Sequence, residues 1–138
     1  MTKDEDLSKY LSLIEYYKEQ LTAIDTQSSY VQAAIADYTK AKITLEQLGK
    51  QDNNAEVLHP IGGSTYVNAI VKNPSNVLFD IGSGYVTEKK SDDAIKKIDD
   101  RIKNLQETLE KLSAMGQQLQ SEAEDISNKA QKIMSEQR

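Results

Sequence analysis

Apolar residues recur at a 3-4 spacing along two long stretches of the chain, with polar residues filling the positions between. The first stripe is Leu7, Tyr10, Ile14, Tyr17, Leu21, Ile24, Ser28, Val31, Ile35, Tyr38, Lys42, Leu45. The second is Ile95, Ile98, Ile102, Leu105, Leu109, Leu112, Gly116, Leu119, Ala123, Ile126, Ala130, Ile133. Only Ser28, Lys42 and Gly116 depart from the apolar rule. A 3-4 alternation sustained this long is the a/d seam of a coiled coil, narrower than the stripe of a helix lying on a globular core. Such a seam has no interior for a small molecule. Function then falls to the surface, the ends or the assembly.

The two stripes fit each other antiparallel, in the register where paired residue numbers sum to 140. Every a position then meets a d position, from Leu45 with Ile95 to Leu7 with Ile133. Tyr10 lies opposite Ala130, Tyr17 opposite Ala123 and Ile24 opposite Gly116, so large residues face small ones and layer volumes stay even. An intrachain helical hairpin is expected; two separate intermolecular coiled coils are the alternative.

Helix boundaries are legible. Thr2 and Glu5 have capping-box spacing, and Asp4 and Asp6 suit the positive helix N-terminus. Leu48-Gly49, followed by Asp52-Asn53-Asn54, is a stop. The first helix is expected over residues 3–49, roughly 65–70 Å long at ~1.5 Å per residue. Ser91 is the expected N-cap of the second, over residues 92–136, with Asp92 and Asp93 in its first turn.

Between them, residues 55–90 switch to short β-rich runs separated by turns. The runs are Glu56–Ile61, Thr65–Val71, Val77–Ile81 and Tyr85–Glu88; the turns are Gly62-Gly63-Ser64, Asn73-Pro74-Ser75-Asn76 and Gly82-Ser83-Gly84. They predict four strands in two hairpins. Isolated hairpins are marginal in water and leave open edges. With no helix expected to cover them, they should pair with other subunits. The fold class is α+β: a long antiparallel coiled-coil hairpin with two β-hairpins between the helices, in one domain of 138 residues.

Composition narrows the function. There is no cysteine, so disulfides, thiolate metal sites and Cys nucleophiles are excluded. No apolar run reaches the roughly 18 residues of a membrane span, and the acidic start Met1–Asp6 is not a signal peptide. Net charge is −5, with signs mixed along both helices, unlike the basic face of a nucleic-acid binder. No membrane or nucleic-acid partner is expected.

With Pro60-Ile61-Gly62, Tyr66-Val67 and Asp80-Ile81-Gly82-Ser83-Gly84-Tyr85-Val86 placed in the order helix–hairpin–hairpin–helix, the whole chain resembles the α-class subunits of prefoldin, nearest the archaeal type, which lack long tails. β-class subunits have one hairpin where this chain has two. The resemblance implies an ATP-independent cytoplasmic chaperone, a hexamer of two α-class and four β-class subunits. It implies hairpins joined in a β-barrel platform, and helical tips that hold unfolded client proteins and pass them to a group II chaperonin. Ile61, Gly62, Tyr66, Val67, Ile81, Gly82, Gly84, Tyr85 and Val86 are the expected assembly residues. Leu7, Tyr10, Leu11, Leu13, Ile126, Ile133 and Met134 are the expected client-binding residues: near the free ends, Leu11, Leu13 and Met134 widen the apolar surface beyond the seam, at ends expected to fray.

Other candidates read as structural. Gly82-Ser83-Gly84 lacks the third glycine and following helix of a dinucleotide loop, so it is a turn. Asp92-Asp93 and Asp99-Asp100 suit dipole compensation and solvation. His59 is the one histidine, too few for a triad or transition-metal site. Lys42 snorkels out or sets register. No cofactor, metal or catalytic constellation is expected. The rival to a chaperone is a structural spacer or tether docking through its β segment. The two differ in whether the tips present an apolar surface to unfolded chains.

Overall fold

A computed structural model describes residues 2–137. In chain order the elements are α1 (Lys3–Leu48), β1 (Ala55–Gly62), β2 (Thr65–Val71), β3 (Asn76–Gly82), β4 (Tyr85–Lys90) and α2 (Ser91–Glu136). The chain divides into two compact units: residues 1–34 with 105–138, and residues 35–104.

The start of α1 is a capping box. Thr2 Oγ1 accepts from the Glu5 N–H, and Glu5 Oε2 accepts from the Thr2 N–H, both at 3.2 Å. At its end the Gly49 N–H still reaches the Leu45 carbonyl at 2.9 Å, and Lys50 and Gln51 then close tighter turns. Thr22, Thr26, Thr39 and Thr44 donate their hydroxyls to the carbonyls four residues back, so these polar β-branched side chains are satisfied inside the helix.

In the unit of residues 1–34 and 105–138, the two helix segments run antiparallel along the expected seam. None of the twenty-four a/d residues of the chain is exposed. A Cβ on Gly116 would lie 3.7 Å from Ile24 Cγ2, which places these two in one layer. Ile24, Leu112 and Ala130 are buried. Ile24 faces Gly116 and, in the same register, Leu112 faces Ser28. The small residues let two bulky ones sink between the helices: Ile24 is 9% exposed and Leu112 7%.

The unit of residues 35–104 holds the other helix segments and both hairpins. β1 pairs with β2 and β3 with β4, antiparallel, as two separate two-stranded sheets. The hairpins share one design. Pro60 pairs with Tyr66 and Gly62 with Thr65, leaving Ile61 as a bulge; Asp80 pairs with Val86 and Gly82 with Tyr85, leaving Ile81 as a bulge. Each turn then takes two residues at positive φ: Gly63 at 56° and Ser64 at 57°, Ser83 at 52° and Gly84 at 81°. Successive positive φ values are those of a type I′ turn, whose twist matches the strands. Gly62 and Gly82, at φ 101° and 121°, hold a conformation only glycine adopts readily. The shared design is written in the sequence as Val-Leu-x-x-Ile-Gly, at Val57–Gly62 and again twenty residues on at Val77–Gly82. Between the hairpins, Asn73 accepts from the N–H of Ser75 through Oδ1 and from that of Asn76 through its carbonyl, and Pro74 is buried. Ser91, expected as a cap, is the first residue of α2, and its N–H donates to the Ser75 carbonyl at 2.7 Å. The shift is the usual one-residue ambiguity of a helix end.

One expectation fails in this unit. Neither hairpin is left wholly uncovered: Val77, Phe79, Thr87 and Lys89 on one face of the second, and Ala55, Val57, Ala69 and Val71 on one face of the first, are half-buried. A groove lined by Tyr38, Ala41, Thr44, Leu45 and Ile98 from the helices meets Val77, Leu78 and Phe79 from β3. Tyr38, Leu45 and Ile98 belong to the seam, so side chains that pair the helices also reach the strand, with Ala41 and Thr44 beside them.

Candidate functional site

The expected capture residues lie in the unit of residues 1–34 and 105–138. Leu7, Tyr10, Leu13, Ile126 and Ile133 are half-buried, while Leu11 is 47% exposed and Met134 44%. Heptad position explains the split. Leu11 and Met134 are both e positions, which face each other across an antiparallel pair, and Leu13 is a g position. Two large apolar side chains on one flank therefore meet solvent near the end of the helix pair.

Polar side chains link the two helices at that end. Lys3 Nζ lies 3.1 Å from Glu136 Oε2, and Gln137 Nε2 donates to Asp4 Oδ1 at 2.9 Å. The Lys3 hydrogen bond and charge hold the Glu136 carboxyl below its ordinary value. Further along, partial burial raises the Tyr17 phenol, and the neighbouring Glu122 carboxylate adds to the rise. Glu122 precedes Ala123, the residue expected opposite Tyr17. Tyr16 stacks edge-on against Tyr17, with ring centres 5.8 Å apart.

The expected assembly residues are in the unit of residues 35–104. Ile61, Tyr66, Val67, Ile81, Tyr85 and Val86 are all exposed, as are Leu58, Ile70 and Leu78. Gly62, Gly82 and Gly84 shape the bulges and turns that carry them. On the first hairpin one face presents Leu58, Pro60, Tyr66 and Ile70 together with Glu56 and Asn68. On the second the outward face mixes Leu78 and Val86 with Asp80, Glu88 and Lys90. That is a large exposed apolar surface for two small sheets.

Sequence reasoning missed the residue that ties the second hairpin down. The Arg101 guanidinium lies 4.5 Å from the centre of the Phe79 ring and 5.6 Å from that of Tyr38. It donates to the Asp80 carbonyl at 3.2 Å and to the Tyr38 hydroxyl at 3.3 Å. Beside it Lys42 Nζ meets Asp99 Oδ1 at 2.7 Å, and that bond raises the Lys42 ammonium above its ordinary value. Asp99 is thus a cross-helix partner and not only a solvated charge near a helix start. Lys42 and Asp99 join the helices in the expected register. No group of His, Cys, Asp and Glu that could hold a metal occurs among the described residues, and none of their helices is long and apolar enough to cross a membrane.

Comparison with known proteins agrees with this architecture. Residues 17–136 match the family model described as Prefoldin subunit. Prefoldin subunit alpha of Methanosarcina barkeri is 28% identical over 96 residues, 67% of each chain. That of Archaeoglobus fulgidus is 30% identical over 96 residues, 70% of each. Human prefoldin subunit 5 is 33% identical over 91 residues, 61% of this chain and 57% of that one. Two solved structures share the fold. A chain of filamentous PFD from Methanocaldococcus jannaschii has a TM-score of 0.74 at 24% identity, covering 85% of this chain and 97% of that one. The prefoldin beta subunit from Thermococcus strain KS-1 has a TM-score of 0.60 at 17% identity, covering 91% and 90%. With two long helices and two β-hairpins in sequence between them, the chain belongs to the prefoldin family of non-enzymatic chaperone subunits, and within it to the α type.

Proposed function

We propose that this α-type subunit is an ATP-independent holdase component. A second copy and four β-class subunits complete a cytoplasmic hexamer, whose helix ends take up non-native proteins and release them to a group II chaperonin. In this reading the exposed apolar residues of both hairpins join strands of neighbouring subunits into a β-barrel. The observation that carries the capture step is the pair Leu11 and Met134, large apolar side chains open to solvent on one flank of an otherwise clasped helix end. A spacer or tether has no use for them. Flexible Leu and Met side chains adapt to many apolar segments without demanding one shape.

The test replaces Leu11, Leu13 and Met134 together by Ser, which spares the a/d seam. Parent and variant are each assembled with the same β-class partner, and suppression of aggregation of a chemically unfolded protein is compared. A partial loss that depends on client size is expected, because α chains are two of the six in the proposed assembly. Unchanged suppression with small and large clients overturns capture by these residues. Mass measurement of the chain alone and mixed with the β-class partner tests the assembly separately.

A further inference from the structure

We infer that Arg101 is a positioning residue for assembly: it presents the β3–β4 hairpin to a neighbouring subunit in a fixed pose, so that docking starts on this hairpin and not on β1–β2. The inference rests on the assembly reading above and adds which hairpin leads and what holds it.

Arg101 joins three elements at once. It belongs to α2, its planar fork bonds the Tyr38 hydroxyl of α1 and the Asp80 carbonyl of β3, and its face covers Phe79 of β3. A guanidinium satisfies two acceptors and one ring in a single orientation, which an ammonium cannot do. The tie continues into the turn. Asp80 Oδ1 accepts from the Gly82 N–H at 2.8 Å, fixing the Ile81 bulge from which the two-residue turn departs. A line of bonds thus runs from the helix pair through Asp80 to the tip of the second hairpin.

The first hairpin has the same bulge and turn without this line. Twenty residues before Phe79 and Asp80 stand His59 and Pro60. His59 is exposed, and Pro60 has no side-chain acceptor to hold Gly62. A pre-oriented element docks with less ordering at the moment of contact, which favours association. A looser one can adjust afterwards to close the ring.

The experiment measures association kinetics of the full chain with a β-class subunit, for the parent, Arg101→Lys, Arg101→Met and Tyr38→Phe, with helix content and melting temperature followed alongside. The parent must first associate; if it does not, the assembly reading itself fails. Given association, Arg101→Met should slow the on-rate about tenfold, a change within the range open to variants of one interface. Arg101→Lys, which keeps a charge over Phe79 but loses the fork, should fall between Met and parent, and Tyr38→Phe should slow it least. A merely structural role would lower the melting temperature without changing the on-rate of the folded fraction. An on-rate for Arg101→Met equal to the parent overturns the proposal. Should Arg101→Met lose helix content, Arg101→Lys decides: a slower on-rate supports positioning and a parental one overturns it.

Discussion

The two β-hairpins are built alike and held differently. Each has an Ile-Gly bulge, a two-residue turn at positive φ and an exposed apolar set that includes the bulged isoleucine. Yet β3 lies under an arginine that also grips both helices, while β1 offers an exposed His59 and Pro60 at the corresponding places. Repeating a module does not repeat its environment. Two differences at twenty-residue spacing, His against Phe and Pro against Asp, mark where the second hairpin gains Arg101 contacts that the first lacks. The outward faces differ by degree: the first carries one charged residue, Glu56, and the second three, Asp80, Glu88 and Lys90.

The sharpest way to break this picture is to destroy one turn. Replacing Gly82 and Gly84 by Val forces β-branched residues into φ values of 121° and 81°, at about 1–3 kcal/mol each. The second hairpin should be lost and assembly with a β-class partner abolished, while circular dichroism keeps most of its helix signal. A double variant of normal mass in the mixture would show that this hairpin does not carry the oligomer.

Next comes the pair His59→Ala and Phe79→Ala. Phe79 is half-buried and stacked on Arg101. Its loss should lower stability by about 1–2 kcal/mol in thermal unfolding, from lost packing and the cation–π contact. The loss of exposed His59 should stay within about 0.5 kcal/mol. Equal effects would erase the distinction between the hairpins.

How far these features can be read from the sequence depends on their geometry. The seam follows from helix period alone, so Ile24 could be set against Gly116 by counting, whereas Asp99 reads as a solvated charge and not as the partner of Lys42. Strand order and turns were legible because Gly62, Gly82 and Gly84 mark backbone that other residues resist. Arg101 was not legible. At a g position it looks like any solvated charge on a coiled coil, and its targets are 21 and 22 residues away on a strand, where no periodicity connects them. The available signal was the Val-Leu-x-x-Ile-Gly repeat, which isolates Phe79 and Asp80 as the places where the second copy departs from the first. The clasp at the free ends was hidden for a similar reason: Lys3–Glu136 and Asp4–Gln137 are chance-like polar pairs until the register puts them together.

A smaller effect concerns the helices that support both hairpins. Gly116→Ala adds a methyl at ordinary contact distance from Ile24 and removes a helix-interior glycine. It should stabilise the chain by about 0.5–1 kcal/mol in thermal unfolding. Association with the partner should not change, since the residue belongs to the other unit. A loss of stability would mean that the Ile24 layer cannot admit even one methyl.

The smallest effect is alkaline. The Lys42 ammonium is raised by its bond to Asp99. Its contribution is complete below the ordinary lysine value of about 10.4 and disappears as pH rises through the higher folded value. The raised Tyr17 phenol acts in the same direction, since the folded chain keeps that proton longer than the unfolded one. Melting temperature should therefore hold from neutral to mildly alkaline pH and fall above pH ~10, and Lys42→Met should remove part of that fall.

The repeated Val-Leu-x-x-Ile-Gly carries a hazard of mistaken partnership. Strands β1 and β3 share their key residues, so each could in principle zip onto the other's mate. Within one chain the short turn decides the matter. Closing β1 on β2 takes two residues, whereas reaching β4 would take a loop about tenfold longer and about 2 kcal/mol more closure entropy. Local hairpins also form within microseconds, ahead of slower encounters. Between chains that protection disappears, and crowded copies could trade strands. Asp80 opposes the exchange, because its carboxylate already holds Gly82 in the turn that returns β3 to its own neighbour. The same aspartate that extends the Arg101 tie thereby favours return of β3 onto its own neighbour over exchange between copies.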